Sequence, residues 1–303
     1  MPANKNETVC VFGLGSMGFG IASSLVAAGY NTGGFDLDKN RETELQNKGG
    51  LSTPKDEVLA QADIVVIVVV NAAQTEALLF SDTGISKQMK PGAVVISCAT
   101  LPPEFAKSCE SRLEELGLLY LDAPISGGSV KAAQGALTMM TSGSDAAYKQ
   151  SQPALDAMAE KVFKLGTEAG PGSAMKIVNQ MLAGVHIAAA AEAITFGISQ
   201  GIEPASTVEV ISECAGSSWM FENRGPHIVE GDYTPHSAVE IFVKDLGIVS
   251  DVARAARFSS PLTAAALQQF LAAAGMGHGR EDDAAVAKVY AHNAGLTLPG
   301  DTN

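Results

Sequence analysis

The sequence predicts an α/β protein: a doubly wound, parallel sheet in the first half, followed by an all-helical C-terminal domain. Three observations lead there. Short apolar runs alternate with amphipathic stretches up to residue 168, a glycine-rich turn closes the first of those runs, and beyond a Gly-Pro-Gly cluster the pattern is helical almost to the end. Strand–helix alternation calls for parallel pairing, because each crossover helix carries the chain back to the end of the sheet where the previous strand began.

In order along the chain, strands are expected over 9–14, 32–35, 64–70, 94–97, 118–123, 137–141 and 162–165. The run 64–70 is apolar at every position, as a strand covered on both faces must be. Helices such as 21–28 and 104–115 lie between, the second announced by Thr100 and two prolines. The segment 168–173, Glu-Ala-Gly-Pro-Gly-Ser, reads as a breaker and sets the domain limits at 1–168 and 169–303. After it, a helix is expected from Met175 to about Gln200, apolar on nearly all faces and so buried between domains or subunits. Further helices are expected over 205–215, 238–256, 261–274 and 283–291.

Composition fits this layout and excludes other classes. Of 303 residues 46 % are hydrophobic and 17 % charged, enough for sizeable cores and too apolar for a disordered chain. The net charge of −13 repels phosphate backbones and anionic lipid, so neither nucleic acid nor a membrane surface is an expected partner. Cys10, Cys98, Cys109 and Cys214 form no C-x-x-C pair and read as reduced thiols. The opening MPANKNET lacks the basic-then-apolar build of a secretory leader, and a cytoplasmic protein is expected. The long apolar helix predicts a homo-oligomer, dimer or tetramer.

The glycine-rich turn is Gly13-Leu14-Gly15-Ser16-Met17-Gly18. Its first glycine permits the tight turn, its second lets backbone amides approach a pyrophosphate, and its third allows close helix–strand packing. Asp36 ends the next strand, eighteen residues beyond Gly18, where a carboxylate accepts from an adenosine ribose and repels a 2′-phosphate. The expected cofactor is NAD on a Rossmann-type domain. Arg41 is the nearby guanidinium that could serve a 2′-phosphate instead.

Downstream, Asp122-Ala-Pro-Ile-Ser126-Gly127-Gly128 follows a strand end, where a hydroxyl and accessible amides suit a carboxylate ligand. Lys176 lies near the start of the long apolar helix, with Asn179 three residues on and on the same face. Burial and the positive helix end both disfavour an ammonium, so the amine is expected below the ordinary lysine range and able to exchange a proton with an alcohol or carbonyl. No metal-ligand spacing, Gly-x-Ser-x-Gly elbow or Walker motif appears.

Together GLGSMGFGIASSL, DAPISGG, GPGSAMKIVNQ and VKDL resemble the β-hydroxyacid dehydrogenase family, in the family's order and over essentially the whole chain. The resemblance implies hydride transfer between a nicotinamide cofactor and a small hydroxy acid. It also implies a role for each matching residue. Lys176 matches the catalytic lysine, Asn179 its companion, and Ser126, Gly127 and Gly128 the substrate-carboxylate loop. Thr100 matches a threonine near the nicotinamide ribose, and Lys244, followed by Asp245, a lysine that closes over the cofactor. One departure stands out: many members carry Met-Leu-Pro after the third strand, where this chain has Val68-Val-Val70-Asn71.

Within the family, KIVNQMLAGVH, SWMFENR and YTP followed by VEIFVKDLG resemble members that act on L-threonate, which implies oxidation at C2 to 2-dehydro-L-erythronate. A polyol acid needs partners for its distal hydroxyls, and Asn179, Gln180, His186, Asn223 and Arg224 are candidates. The alternatives are 3-hydroxyisobutyrate oxidation, tartronate semialdehyde reduction, or a non-catalytic dinucleotide-binding module.

Overall fold

The computed structural model describes residues 6–300, so part of the N-terminal stretch read above for a leader lies outside it. The chain divides into two compact units, Met1–Lys176 and Ile177–Asn303.

The first unit is built on a five-stranded parallel sheet. Its strands are β1 (Thr8–Phe12), β2 (Asn31–Phe35), β3 (Ile64–Ile67), β4 (Val94–Ser97) and β5 (Leu119–Asp122), in the order β2-β1-β3-β4-β5. β3 and β4 are buried at every position, in keeping with an apolar run that is unbroken in β3 and reaches to Ile96 in β4, before the buried Ser97. Helices α1 (Ser16–Ala27), α2 (Lys39–Asn47), α3 (Lys55–Gln61), α4 (Ala72–Phe80) and α5 (Pro103–Glu114) make the crossovers. α5 shows the logic in small: Pro103 in its first turn, Glu104 at the positive end, Arg112 at the negative end, and Ala106, Cys109 and Leu113 on one buried stripe.

Two expectations need correcting. The sheet does not continue through 137–141 and 162–165. β6 (Ile125–Ser126), β7 (Leu137–Thr141) and β8 (Ala159–Lys164) form a separate three-stranded sheet, joined by α6 (Gly128–Ala133) and α7 (Asp145–Met158). β6 and β7 are antiparallel, and a pair so joined can leave one face outside the main core. The third strand also stops at Ile67, not residue 70. Val68 to Val70 turn away, with Val70 N–H donating to Gln74 Oε1 at 2.8 Å and Asn71 Oδ1 accepting Gln74 N–H at 2.9 Å. Two side chains thus fix the turn where relatives of the resembled family use proline.

The long helix α8 (Pro171–Ser199) begins inside the segment read as a breaker. Proline at the first helical position brings the right φ and lacks only an N–H that would have no intrahelical partner. α8 is long and apolar enough to cross a membrane by composition, yet half of its most apolar stretch is buried within the protein. Its faces are not all covered: Val178, Leu182 and Phe196 are more than half exposed.

The second unit comprises the rest of α8 with α9 (Pro204–Ser212), α10 (Trp219–Glu230), α11 (Val239–Ala255), α12 (Pro261–Ala273) and α13 (Val286–Ala294). Its core gathers Ile187, Ala191, Ile194, Phe242, Leu246 and Phe270. Gly184 lets α8 and α11 meet: a Cβ there would lie 2.8 Å from the Leu246 side chain.

A buried ion pair locks α10 to the turn before α13. Arg224, 8 % exposed, donates from Nε to Asp283 Oδ1 at 2.5 Å and from a terminal nitrogen to Oδ2 at 3.0 Å. Burial pushes the Asp283 carboxyl up, and the guanidinium offsets part of that. Arg224→Ala leaves this carboxylate buried and unpaired, so the variant is expected to lose about 3–5 kcal/mol in chemical denaturation. A loss under about 0.5 kcal/mol, the range of ordinary surface changes, would remove the pair from this role.

Candidate active site

The glycine-rich turn lies at the C-terminal ends of β1 and β3, where the strand order reverses and open α/β sheets bind ligands. Gly13 has φ +91°, and a Cβ on it would meet the Val68 carbonyl oxygen at 2.5 Å. A Cβ on Gly18 would fall 1.8 Å from the Gly13 carbonyl oxygen, so this glycine lets α1 sit against the turn. Around Gly15 the opposite holds: a Cβ would have open space within 4 Å. Gly15 precedes α1, whose first turn has no side-chain cap. Uncapped amides at a helix N-terminus, approached through a glycine, fit a pyrophosphate.

The remaining residues of the turn divide by exposure. Ser16 is exposed and Met17 half-buried against the core, whereas the Leu14 side chain is fully buried and faces no ligand. Leu14 contributes its backbone, whose N–H donates to Asp36 Oδ2 at 2.5 Å. Asp36 Oδ1 also accepts from Asp38 N–H at 2.9 Å, leaving acceptor capacity on both oxygens for a ribose.

A cleft of about 840 Å³ runs from Gly13 and Gly15 past Asp36, Leu37 and Val68–Val70 to Thr83. The cations near Asp36 are already engaged. Lys39 Nζ pairs with Glu42 Oε1 at 2.8 Å, while the same oxygen accepts Asp36 N–H at 2.9 Å. Arg41 pairs with Glu44 at 3.1 Å and lies over the Phe19 ring. The residues present therefore fit NAD: a phosphate cradle, and a carboxylate at the ribose with its neighbouring guanidinium occupied elsewhere. Thr100 is half-buried beyond β4 and lies outside the residues lining this cleft.

The second cluster forms around residues 122–128 and the start of α8. Lys176, 9 % exposed in the second turn, donates from Nζ to the Ile125 carbonyl oxygen at 2.8 Å. The next residues are Ser126, Gly127 and Gly128. The glycines have φ +136° and +75°, and Gly128 opens α6 with no side-chain cap and free space where a Cβ would stand. The lysine, the serine and the glycine loop expected to work together are thus brought together. The sequence marks Asp122 only as a strand end, but it is fully buried and accepts from Gly170, Ser173 and Ser142. Burial pushes its carboxyl up, and those hydrogen bonds oppose the rise.

In the second unit, Asn179 Nδ2 donates to Gln180 Oε1 at 2.9 Å, Gln180 Nε2 donates to Asp245 Oδ2 at 2.5 Å, and Asp245 Oδ1 pairs with Lys244 Nζ at 2.7 Å. Two of the sequence motifs are therefore parts of one polar chain. This removes Gln180 from the polyol-binding candidates, since its amide is 6 % exposed and engaged at both ends. Arg224 drops out as well, its guanidinium being held by Asp283 and by the Asn223 side chain. Asp245 and Asp122 both stand inside motifs singled out in the sequence. Nothing in the spacing marks what they hold, because their partners are 65 and 51 residues away.

Residues 8–166 match the family described as the NAD binding domain of 6-phosphogluconate dehydrogenase, and residues 170–290 that described as NAD-binding of NADP-dependent 3-hydroxyisobutyrate dehydrogenase. The L-threonate dehydrogenase of Cupriavidus necator is 51% identical over 297 residues, covering 97% of this chain and 99% of that protein. The L-threonate dehydrogenase of Escherichia coli K12 is 47% identical over 302 residues, covering 99% of both. A crystal structure described as 3-hydroxyisobutyrate dehydrogenase from Salmonella typhimurium has a TM-score of 0.89 and 47% identity, covering 94% of this chain and 100% of that one. With both units matched and near-complete overlap with dehydrogenases, the chain belongs to the β-hydroxyacid dehydrogenase family, in its 3-hydroxyisobutyrate dehydrogenase-like branch, and is an NAD-dependent oxidoreductase of small hydroxy acids.

Proposed function

We propose that the enzyme oxidises L-threonate at C2 to 2-dehydro-L-erythronate, with Lys176 as the general base. The observation that carries the lysine's part is its amine, nearly buried and held 2.8 Å from the Ile125 carbonyl at the edge of the Ser126-Gly127-Gly128 loop. The substrate choice is supported by identity of 51% and 47%, over nearly full length, to proteins named for L-threonate.

In this reading, Ser126 and the amides of Gly127 and Gly128 hold the substrate carboxylate, the glycines letting it come close to the backbone. Lys176 Nζ takes the proton of the C2 hydroxyl as the C2–O bond becomes a carbonyl. Bound NAD supplies the hydride acceptor. The family resemblance assigns Asn179 to the reacting oxygen, Lys244 to covering the cofactor and Thr100 to its nicotinamide ribose; Lys244 Nζ is itself paired with Asp245 Oδ1 at 2.7 Å. The glycine turn from Gly13 to Gly18 carries the pyrophosphate, and Asp36 selects NAD over NADP. The same name-based support for 3-hydroxyisobutyrate in the Salmonella structure makes that acid the second reading.

A homo-oligomer in the cytoplasm completes the proposal. Phe196, Trp219, Phe258 and Leu262, each at least 62 % exposed, are large apolar side chains of the kind a subunit contact covers. Three of the four cysteines are buried thiols, as a reducing compartment allows.

The first test follows NADH formation with NAD or NADP and a panel of L-threonate, D-threonate, 3-hydroxyisobutyrate and D-glycerate. L-threonate with NAD is expected to be fastest; preference for another acid replaces the substrate and keeps the mechanism. Lys176→Ala is expected to lower turnover about a hundredfold or more while NAD still binds, and near-normal turnover would remove the lysine from its role. Asp36→Ala is expected to weaken NAD about tenfold or more and raise the NADP-to-NAD ratio, since hydrogen bonds to a charged acceptor are lost. An unchanged ratio sinks the ribose assignment. Light scattering at micromolar concentration is expected to give a dimer or tetramer, and a monomer would refute the assembly.

A further inference from the structure

A helix that opens Pro171-Gly172-Ser173 after Gly170 has no side chain in front of it to accept its first amides. The acceptors come from 30 and more residues earlier in the chain. Asp122 Oδ2 accepts from Gly170 N–H at 3.0 Å and from Ser173 N–H at 2.8 Å, and Asp122 Oδ1 accepts from Ser173 Oγ at 2.7 Å. Ser142 Oγ takes the Gly172 N–H at 2.9 Å and donates to Asp122 Oδ2 at 3.3 Å. Asp122 and Ser142 are themselves tied backbone to backbone, at 3.0 and 2.8 Å. Every partner of the Asp122 carboxylate is a donor, and the group is fully buried.

Three residues beyond Asp122 stands Ile125, whose carbonyl receives the Lys176 amine, and three residues beyond Ser173 stands Lys176 itself. The chain therefore closes a loop: Asp122 to Ser173, along α8 to Lys176, across to Ile125, and back to Asp122. One end of that loop fixes the helix start and the other fixes the amine.

We propose that Asp122 is a positioning residue for the reaction. Its carboxylate sets the start of α8, so that the Lys176 amine is held against the segment carrying Ser126, Gly127 and Gly128. The proposal rests on Lys176 being the base. A misplacement of about 1 Å at a reacting group can cost about a hundredfold in rate, so the loss of a helix anchor is felt in turnover before it is felt in binding.

The test compares Asp122→Ala, Asp122→Asn and Lys176→Ala, singly and as the Asp122→Ala/Lys176→Ala double variant, with the acid turned over fastest in the panel. Asp122→Ala is expected to lower kcat about tenfold to a hundredfold, with substrate KM and the Kd for NAD within about threefold of the parent. Asp122→Asn, which keeps an acceptor for the two amides and a donor for the Ser173 hydroxyl, is expected to recover most of that loss. In the Lys176→Ala background, Asp122→Ala is expected to cost less than about threefold more, because residues acting through one group are not additive. Parental kcat in Asp122→Ala, or the same loss in both backgrounds, overturns the proposal. Parental turnover in Lys176→Ala instead overturns the reading of the lysine. Where Asp122→Ala fails to fold, Ser173→Ala removes one of the same bonds and carries the same test.

Discussion

Asp122 receives four hydrogen bonds in a fully buried place, and the start of a 29-residue helix hangs on them. A carboxylate taken out of water is costly unless donors surround it, and uncapped amides at a helix start are costly unless an acceptor reaches them. Here each answers the other's need. The join also crosses from the main sheet, through the end of β5, to the small sheet at Ser142 and on to α8. The segment just beyond β5 inherits its position from this joint, including the carbonyl that holds the Lys176 amine.

The cofactor side is governed by close approach instead of charge. Backbone passes over backbone at Gly13 and Gly18 with no room for a side chain, while Gly15 faces open space. Three glycines in one short turn thus do different things, two by packing and one by leaving a gap. The turn after β3 lies against the first of them, and there Gln74 and Asn71 fix with hydrogen bonds what a proline would fix with its ring.

Much of this could be read from residue order because the signals were local. Apolar runs marked β1, β3 and most of β4, and the glycine spacing with Asp36 beyond it marked the turn after β1. Elements with little apolar content left no such trace. α2 is KNRETELQN with Leu45 as its buried residue, so it carries no 3.6-residue stripe. α10 holds Gly225 and Pro226 inside it, which reads as a break; Gly225 is there because a Cβ would lie 2.8 Å from the Val208 side chain. The division of seven expected strands into two sheets was hidden because β6 is two residues long. In the site, motif residues were legible one by one, but the bonds from Asp122 to Ser173 and from Gln180 to Asp245 join distant segments and appear only when the chain is folded.

The double engagement of Glu42 bears on how such a site changes allegiance. Its carboxylate oxygen holds the Asp36 amide and the Lys39 ammonium together. Deleting the Asp36 carboxylate would take away a negative charge yet add no cation, the nearest ammonium being paired with Glu42. Redesign of this cleft for a phosphorylated ribose is accordingly a two-step problem, in which the cation has to be released as well as the anion removed. The same pairing means that drift at either position alone can weaken one dinucleotide without building a home for the other, a built-in inertia that a single carboxylate would not provide.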